Sequence, residues 1–258
     1  MTVPADHVLE NRGYWDARAG DWVADGERKW ASPEPTWGVW GLPDTGIELL
    51  PTDLSGRDAI ELGCGTGYVS AWMARRGARV VGLDNSAEQL ATARRLAAEH
   101  RIALTLLHGN AEAVECPDAS FDFAVSEYGA AIWCDPYRWI PEAHRLLRPG
   151  GRLAILGHTP LAMTCSPVDG SLPVRTELQR PYFGLHRLDW TQATDDPGGV
   201  EFNLPVAEWF ALFARTGFDV VEYLELRNPD PDRPDAHGMT ASWAHHFPAE
   251  QVWKLRKR

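Results

Sequence analysis

The chain has no paired C-x-x-C spacing, no surplus of basic residues and no long apolar run, and each absence removes a class of function. Its four cysteines, Cys64, Cys116, Cys134 and Cys165, stand far apart. Such spacing argues against a zinc site, an iron–sulfur cluster or a disulfide scaffold, so reduced thiols and no metal are expected. Acidic residues number 36 against 25 basic ones, a formal net charge of -11. That balance disfavours a partner recognised through its phosphate backbone, so no nucleic-acid partner is expected. The one dense basic run, Lys254-Leu255-Arg256-Lys257-Arg258, reads as a short solvated tail. No segment approaches the ~18 apolar residues that span a bilayer. The start, MTVPADHVLENRGYWD, lacks the basic-then-apolar layout of a signal peptide. A cytoplasmic protein with no membrane partner is expected, either monomer or homodimer.

What is present is a chain of 258 residues with 12 tryptophans. That length suffices to bury about 70–75% of the unfolded surface, in one large domain or a domain with an insertion. Trp15, Trp22, Trp30, Trp37 and Trp40 fall within the first forty residues, among glycines and prolines. The stretch reads as too irregular for a regular amphipathic helix and too aromatic for a free tail. It is expected to pack as a cap, residues 1–50, over a domain at 51–258.

Within 58–160, strands alternate with helices. Asp58–Leu62, Arg79–Leu83, Ala103–Leu107, Phe121–Val125 and Arg152–Leu156 read as strands. Tyr68–Arg76, Ala87–His100 behind a Ser86 cap, and Tyr137–Leu147 read as helices. Such alternation implies parallel pairing through right-handed crossovers, hence an α/β, doubly wound sheet whose ligands bind at the carboxyl ends of its strands. From Gly157 to Leu204 the regularity fails, and aromatics recur among prolines. That stretch is expected to be an insertion, residues 158–204, ordered as a lid. A helix at Pro205–Thr216 and strands at Phe218–Leu226 and Val252–Lys257 close the chain.

The segment Glu61-Leu62-Gly63-Cys64-Gly65-Thr66-Gly67 carries the chemistry. Alternating glycines between a strand and a helix let the backbone approach a ligand and take positive φ. About twenty residues on, Asp84 ends the second strand, where a carboxylate accepts hydrogen bonds from both ribose hydroxyls. Loop and acid together specify a nucleoside-bearing cofactor.

AIELGCGTGYVS resembles the first motif of class I S-adenosylmethionine-dependent methyltransferases of the small-molecule type. VVGLDNSAEQLATAR is similar to their second motif, and Phe121-Asp122 with RLLRPGGRLAIL to their fourth- and fifth-strand signatures. The resemblance covers residues 55–160, and more loosely 205–258. It implies a Rossmann-like, mainly parallel seven-stranded sheet with an antiparallel last strand and helices on both faces. It also implies S-adenosyl-L-methionine as cofactor and S-adenosyl-L-homocysteine as product. Carried over by position, Gly63 and Gly65, with Cys64 between them, lie against the amino-acid moiety, and Glu61 helps hold its amino group. Asp84 takes the ribose and Asn85 flanks the adenine. Asn110-Ala111-Glu112 reads the adenine edge, with Asn110 where the family often has Asp. Glu127 faces the methyl donor or the acceptor.

Two alternatives remain beside it. A Rossmann-type NAD(P)-dependent oxidoreductase requires Gly-x-Gly-x-x-Gly, and here Gly67 comes one residue early. A non-catalytic module that binds the cofactor for regulation has no need of the aromatic covers.

The implied reaction transfers a methyl group to a small-molecule acceptor, at oxygen by preference, with nitrogen or carbon as alternatives. A base must remove the acceptor's proton where there is one. His158, just after the fifth strand at the active edge, is the leading candidate, followed by Glu127 and by His186 in the lid; His245-His246 reads as a polar pair on a surface turn. Tyr14 and Trp15 are expected to close over the cofactor, one of them near the sulfonium. Trp37, Trp40 and Tyr128 are expected to line the acceptor pocket. No carboxylate set for Mg²⁺ stands out, Asp135 alone being insufficient.

Overall fold

The computed structural model describes residues 5–258, so residues 1–4 of the expected cap lie outside the described residues. The chain opens with α1 (Asp6–Arg18), a 3₁₀ turn at Ala19–Trp22 and α2 (Val23–Ala31). A small antiparallel hairpin follows, β1 (Thr36–Trp37) with β2 (Leu42–Pro43). Next come β3 (Asp58–Leu62), α3 (Tyr68–Arg75), β4 (Arg79–Asp84), α4 (Ala87–Glu99), β5 (Thr105–His108) and β6 (Phe121–Glu127). The helices α5 (Ala130–Trp133) and α6 (Pro136–Leu146) lead into the long strand β7 (Leu147–His158). The remainder runs α7 (Pro160–Cys165), β8 (Arg187–Asp189), β9 (Val200–Phe202), α8 (Val206–Thr216), β10 (Phe218–Leu226), α9 (Ala241–His246) and β11 (Glu250–Lys257).

Seven strands form one sheet in the order β10-β11-β7-β6-β3-β4-β5. β5, β4, β3, β6 and β7 pair in parallel, whereas β11 is antiparallel to both β7 and β10. The expected doubly wound sheet with an antiparallel last strand is what forms. Its central strands are near-continuous apolar runs because both faces are covered. Alternation then sorts them: Ala59, Phe123, Val125, Ala154 and Leu156 join one apolar cluster, Ile60, Leu62, Ala124, Leu153 and Ile155 the other. Helix boundaries follow local chemistry. Ser86 Oγ accepts from the Gln89 amide at 3.1 Å, Asp135 caps α6 ahead of Pro136, and α8 stops at Gly217 with φ 103°.

Four sequence readings need correction. Residues 6–31 are helical, not irregular. The reading failed because α1 docks through polar side chains. His7, Val8 and Asn11 are its buried residues, and Asn11 exchanges hydrogen bonds with Val200 while donating to the Trp133 carbonyl. A polar docking face leaves no hydrophobic period to detect. The span 157–204 is also less irregular than expected, since it holds α7 and the β8–β9 hairpin. Finally, β7 extends through His158, which is therefore a strand residue, and His245-His246 close α9 instead of occupying a turn.

The strand ends are drawn together by glycine. A Cβ on Gly63 (φ 80°) would lie 2.5 Å from the Gly129 Cα, so the chain leaving β3 passes directly against the chain leaving β6. Gly150 (φ 78°) has nothing near its missing Cβ. Gly63→Ala is expected to lower stability by about 3 kcal/mol or more, through both left-handed strain and backbone overlap, and Gly150→Ala by only about 1–2 kcal/mol. Urea denaturation of the two variants measures the difference.

Candidate cofactor and acceptor site

The carboxyl edge of the sheet gathers the ends of β3, β4, β6 and β7. The amides of Gly63 and Cys64 both donate to the Leu83 carbonyl, at 2.8 and 2.9 Å, which ties the loop to β4. The Gly65 amide donates to Asp84 Oδ2 at 2.7 Å. Gly65 alone of the loop glycines has an open face: its nearest neighbour to an added Cβ would be Gln89 Oε1, 3.9 Å away. From the outside, α2 braces the turn. The Trp30 indole N–H donates to the Thr66 carbonyl at 2.9 Å, and Gly26 packs directly on the Thr66 side chain. Neither contact was readable as a motif; only the excess of tryptophan hinted at one. Cys64 is buried within the loop, and burial pushes its thiol well above the usual range.

Glu61 is buried, and its Oε2 accepts from both the amide and the hydroxyl of Ser70 in the first turn of α3, at 2.7 and 2.6 Å. Burial dominates and raises its carboxyl well above the ordinary value. Asp84 is raised for the same reason, although the Ser86 and Gly65 amides pull against it. The neighbouring residues are engaged by α1. Asn85 accepts from the Arg12 guanidinium at 2.9 Å and donates to the Val8 carbonyl. Asn110 folds back onto the Glu112 amide, and Ala111 is buried. Glu112 Oε1 meets His7 at 2.6 Å and accepts the Asp135 amide, while its Oε2 has no hydrogen-bond partner and only a distant ion pair with Arg138, at 3.9 Å.

At the end of β6 a second group assembles. Glu127 accepts the Gly38 amide at 3.0 Å and the Tyr68 hydroxyl at 2.6 Å. Tyr128, at φ 55°, donates its hydroxyl to Glu250 at 2.7 Å and lies edge-on to His158, ring centroids 4.9 Å apart. Burial, with some help from the charge of His237, pushes His158 down to about 3. An imidazole held neutral so firmly takes a proton poorly, which counts against it as the general base. Glu250 was missed in the sequence, because no motif surrounds it. It reaches this edge because β11 runs antiparallel, so that its first residue pairs with His158, the last of β7.

The remaining candidates divide. Tyr14 and Trp15 are half-buried and pack on Trp133 of α5, at 5.8 and 5.2 Å between centroids; Trp15 also meets Trp22. Trp22 stacks on His237, which lines a cleft of about 280 Å³ with Leu172, Pro173 and Met239. Trp37 and Trp40 sit in the apolar core, Trp37 with its indole N–H bonded to Asp44, so they back the hairpin and present no open face. His186 belongs elsewhere, bonded to Asp135 at 3.0 Å and packed on Tyr137 and Phe202. Among the described residues, no group of three or more His, Cys, Asp or Glu is arranged to hold a metal ion, and no helix is long and apolar enough to cross a membrane.

These residues fit an adenosyl amino-acid cofactor. Gly65 offers an open backbone cradle, the buried Gln89 Oε1 beside it lacks a partner, and a carboxylate stands at the end of β4. Residues 60–155 match the profile of the family described as "Methyltransferase domain". With this sheet order and this loop, that stretch is similar to the class I S-adenosylmethionine-dependent methyltransferases, whose cofactor is S-adenosylmethionine. Among its relatives, the malonyl-[acyl-carrier protein] O-methyltransferase of Pectobacterium atrosepticum is 35% identical over 150 residues, 58% of this chain and 51% of that one. The alignment thus spans about half the length of that relative. A solved S-adenosylmethionine-dependent methyltransferase from Mesorhizobium loti has a TM-score of 0.63 at 24% identity, covering 82% of this chain and 95% of that one. The crystal structure of the [4+2]-cyclase SpnF gives 0.64 at 19% identity, over 100% and 97%. At such identities the likeness is one of fold, and a fold by itself carries no reaction.

Burial also raises Glu250, to about 7. The raised group binds its proton more tightly in the folded chain, so its contribution to stability is full below the ordinary carboxyl range and is lost as pH climbs through about 7. Glu250→Gln is therefore expected to be near neutral at pH 5 and stabilising at pH 8, by about 1–3 kcal/mol. Thermal melts of both proteins at the two pH values test this.

Proposed function

We propose that this chain transfers the methyl group of S-adenosylmethionine to a small-molecule acceptor. The observation that carries the reading is the Asp84–Gly65 bond, which sets a carboxylate beside an open glycine turn at the carboxyl end of the central strands. On this reading Gly63, Cys64 and Gly65 form the loop against the amino-acid moiety, Glu61 supports that end and Asp84 takes the ribose. Asn85, Asn110, Ala111 and Glu112 surround the adenine, and Tyr14 and Trp15 close over the cofactor. Residues 5–50 act as its cap and 158–204 as the acceptor's cover. Oxygen is the favoured acceptor atom, with nitrogen and carbon as alternatives.

When bound, the cofactor supplies an already activated sulfonium methyl. The chain's own residues must then align the acceptor, exclude water and accept a proton. The strap at Gly38–Val39, bonded to Glu127 and Glu250, and the Tyr14–Trp15–Trp133 cluster are placed to exclude water. Glu127, Tyr128 and His158 stand on the acceptor side.

Isothermal titration with S-adenosylmethionine and S-adenosylhomocysteine tests the reading. Binding on the order of micromolar is expected, weakened at least about tenfold in Asp84→Asn, the loss of one charged hydrogen-bond acceptor. Absence of binding, with NADH bound instead, overturns it.

A further inference from the structure

Glu250 is wholly buried. Its Oε1 accepts from the Val39 amide at 2.9 Å and from the Tyr128 hydroxyl at 2.7 Å. Its Oε2 has no hydrogen-bond partner. A buried carboxylate oxygen left without a donor is costly, and in a site it marks the place of a missing donor. The chain passes this carboxylate only because residue 38 is glycine: a Cβ there would lie 2.1 Å from Oε1 and 2.7 Å from Oε2. Successive amides of the same strap, Gly38 and Val39, bond Glu127 and Glu250, so the two carboxylates share one small region.

The charges around that region are mainly negative. Glu127 at the end of β6 acts on Glu250, and Glu201 of β9 acts with both on Tyr128. From α2 comes Lys29, which lies over the Tyr68 ring at 4.3 Å and is itself 3.6 Å from Asp25. His158 and His237 complete the titratable neighbours, both pushed down chiefly by burial. A ligand bringing a proton or a positive charge is favoured here, and an anionic one is repelled.

We propose that Glu250, through Oε2, hydrogen-bonds the N–H or O–H of the methyl acceptor and takes its proton, so that acceptors are amines or hydroxyl compounds and not carboxylates. This rests on the methyltransferase reading above. In the step, the acceptor's lone pair forms a bond to the methyl carbon as the carbon–sulfur bond breaks. That bond's electron pair stays on sulfur, leaving a neutral thioether, and the proton passes from acceptor to Glu250. The Tyr128 hydroxyl holds Oε1 and thereby aims Oε2. Glu250 must be ionised to act, and its titration near pH 7 puts that form above neutrality.

A test needs no acceptor. Sinefungin carries an amine on carbon where S-adenosylmethionine carries its methylated sulfur, so it presents an N–H donor at the site of transfer. Titrating the full chain with sinefungin and S-adenosylhomocysteine over a pH series from about 6 to 8 and beyond, we expect a preference for sinefungin that grows about tenfold with pH, as for one ionised hydrogen-bond partner. Glu250→Gln keeps its affinity for S-adenosylhomocysteine within about threefold and loses the pH-dependent preference. Tyr128→Phe leaves the carboxylate but removes a donor that lowers its pKa, so the preference sets in at higher pH. The proposal is overturned if the wild type shows no such preference, if Glu250→Gln retains it, or if the Tyr128→Phe midpoint does not move. It is also overturned if folded Glu250→Gln loses S-adenosylhomocysteine affinity more than about tenfold, which would make Glu250 a cofactor-holding residue. A wild type that binds neither compound overturns the methyltransferase reading itself.

Discussion

Everything at the active edge depends on how closely the chain leaving β3 can approach the chain leaving β6. Gly63 and Gly129 face each other there, each lacking the Cβ that would strike the other's backbone. That contact brings the glycine turn, Glu127 and Tyr128 onto one side of the sheet. It also gives Gly63 a reason for being glycine that is independent of any ligand. Gly65 is the position whose open face suits a cofactor. Two glycines two residues apart in one motif thus answer to different constraints, one to packing and the other to access.

The N-terminal helices complete the edge by polar docking. His7 reaches Glu112, Arg12 reaches Asn85 and Asp16 reaches Ser86 Oγ, so α1 spans the ends of β4 and β5. Trp30 on α2 holds the glycine turn from outside. Such contacts place buried polar groups against the same residues that the family motifs single out, which couples the order of the cap to the order of the candidate site. Helices attached mainly through side-chain hydrogen bonds, with few buried apolar residues, are also the elements most readily opened.

Much of the fold was legible before any coordinates. Strands with apolar centres, glycine stops and the Ser86 cap are local signals, and the observed elements fall within a few residues of those expected. The helicity of α1 was not legible, because its buried face is His7, Val8 and Asn11 in place of an apolar stripe. At the site, the loop and Asp84 were visible because their spacing is itself the signal. Trp37 and Trp40 lie in the apolar core, and aromatic character by itself does not distinguish a pocket wall from a core. Glu250 gave no sign of its position, lying about 120 residues from Tyr128, to which it bonds.

By itself, then, the order of residues determined the alternation of strands and helices, the strand–turn–helix proposed to cradle a nucleoside cofactor, and the acid at the end of β4. These depend on neighbours within about twenty residues, where periodicity and backbone freedom act directly. Only the tertiary structure decided which distant side chains share the candidate acceptor side. An antiparallel β11 delivers Glu250 to the parallel strands' carboxyl edge, and the strap at Gly38–Val39 closes over it. Sheet order and chain direction are set by burial of the whole core, so no local pattern could have announced where that carboxylate would stand.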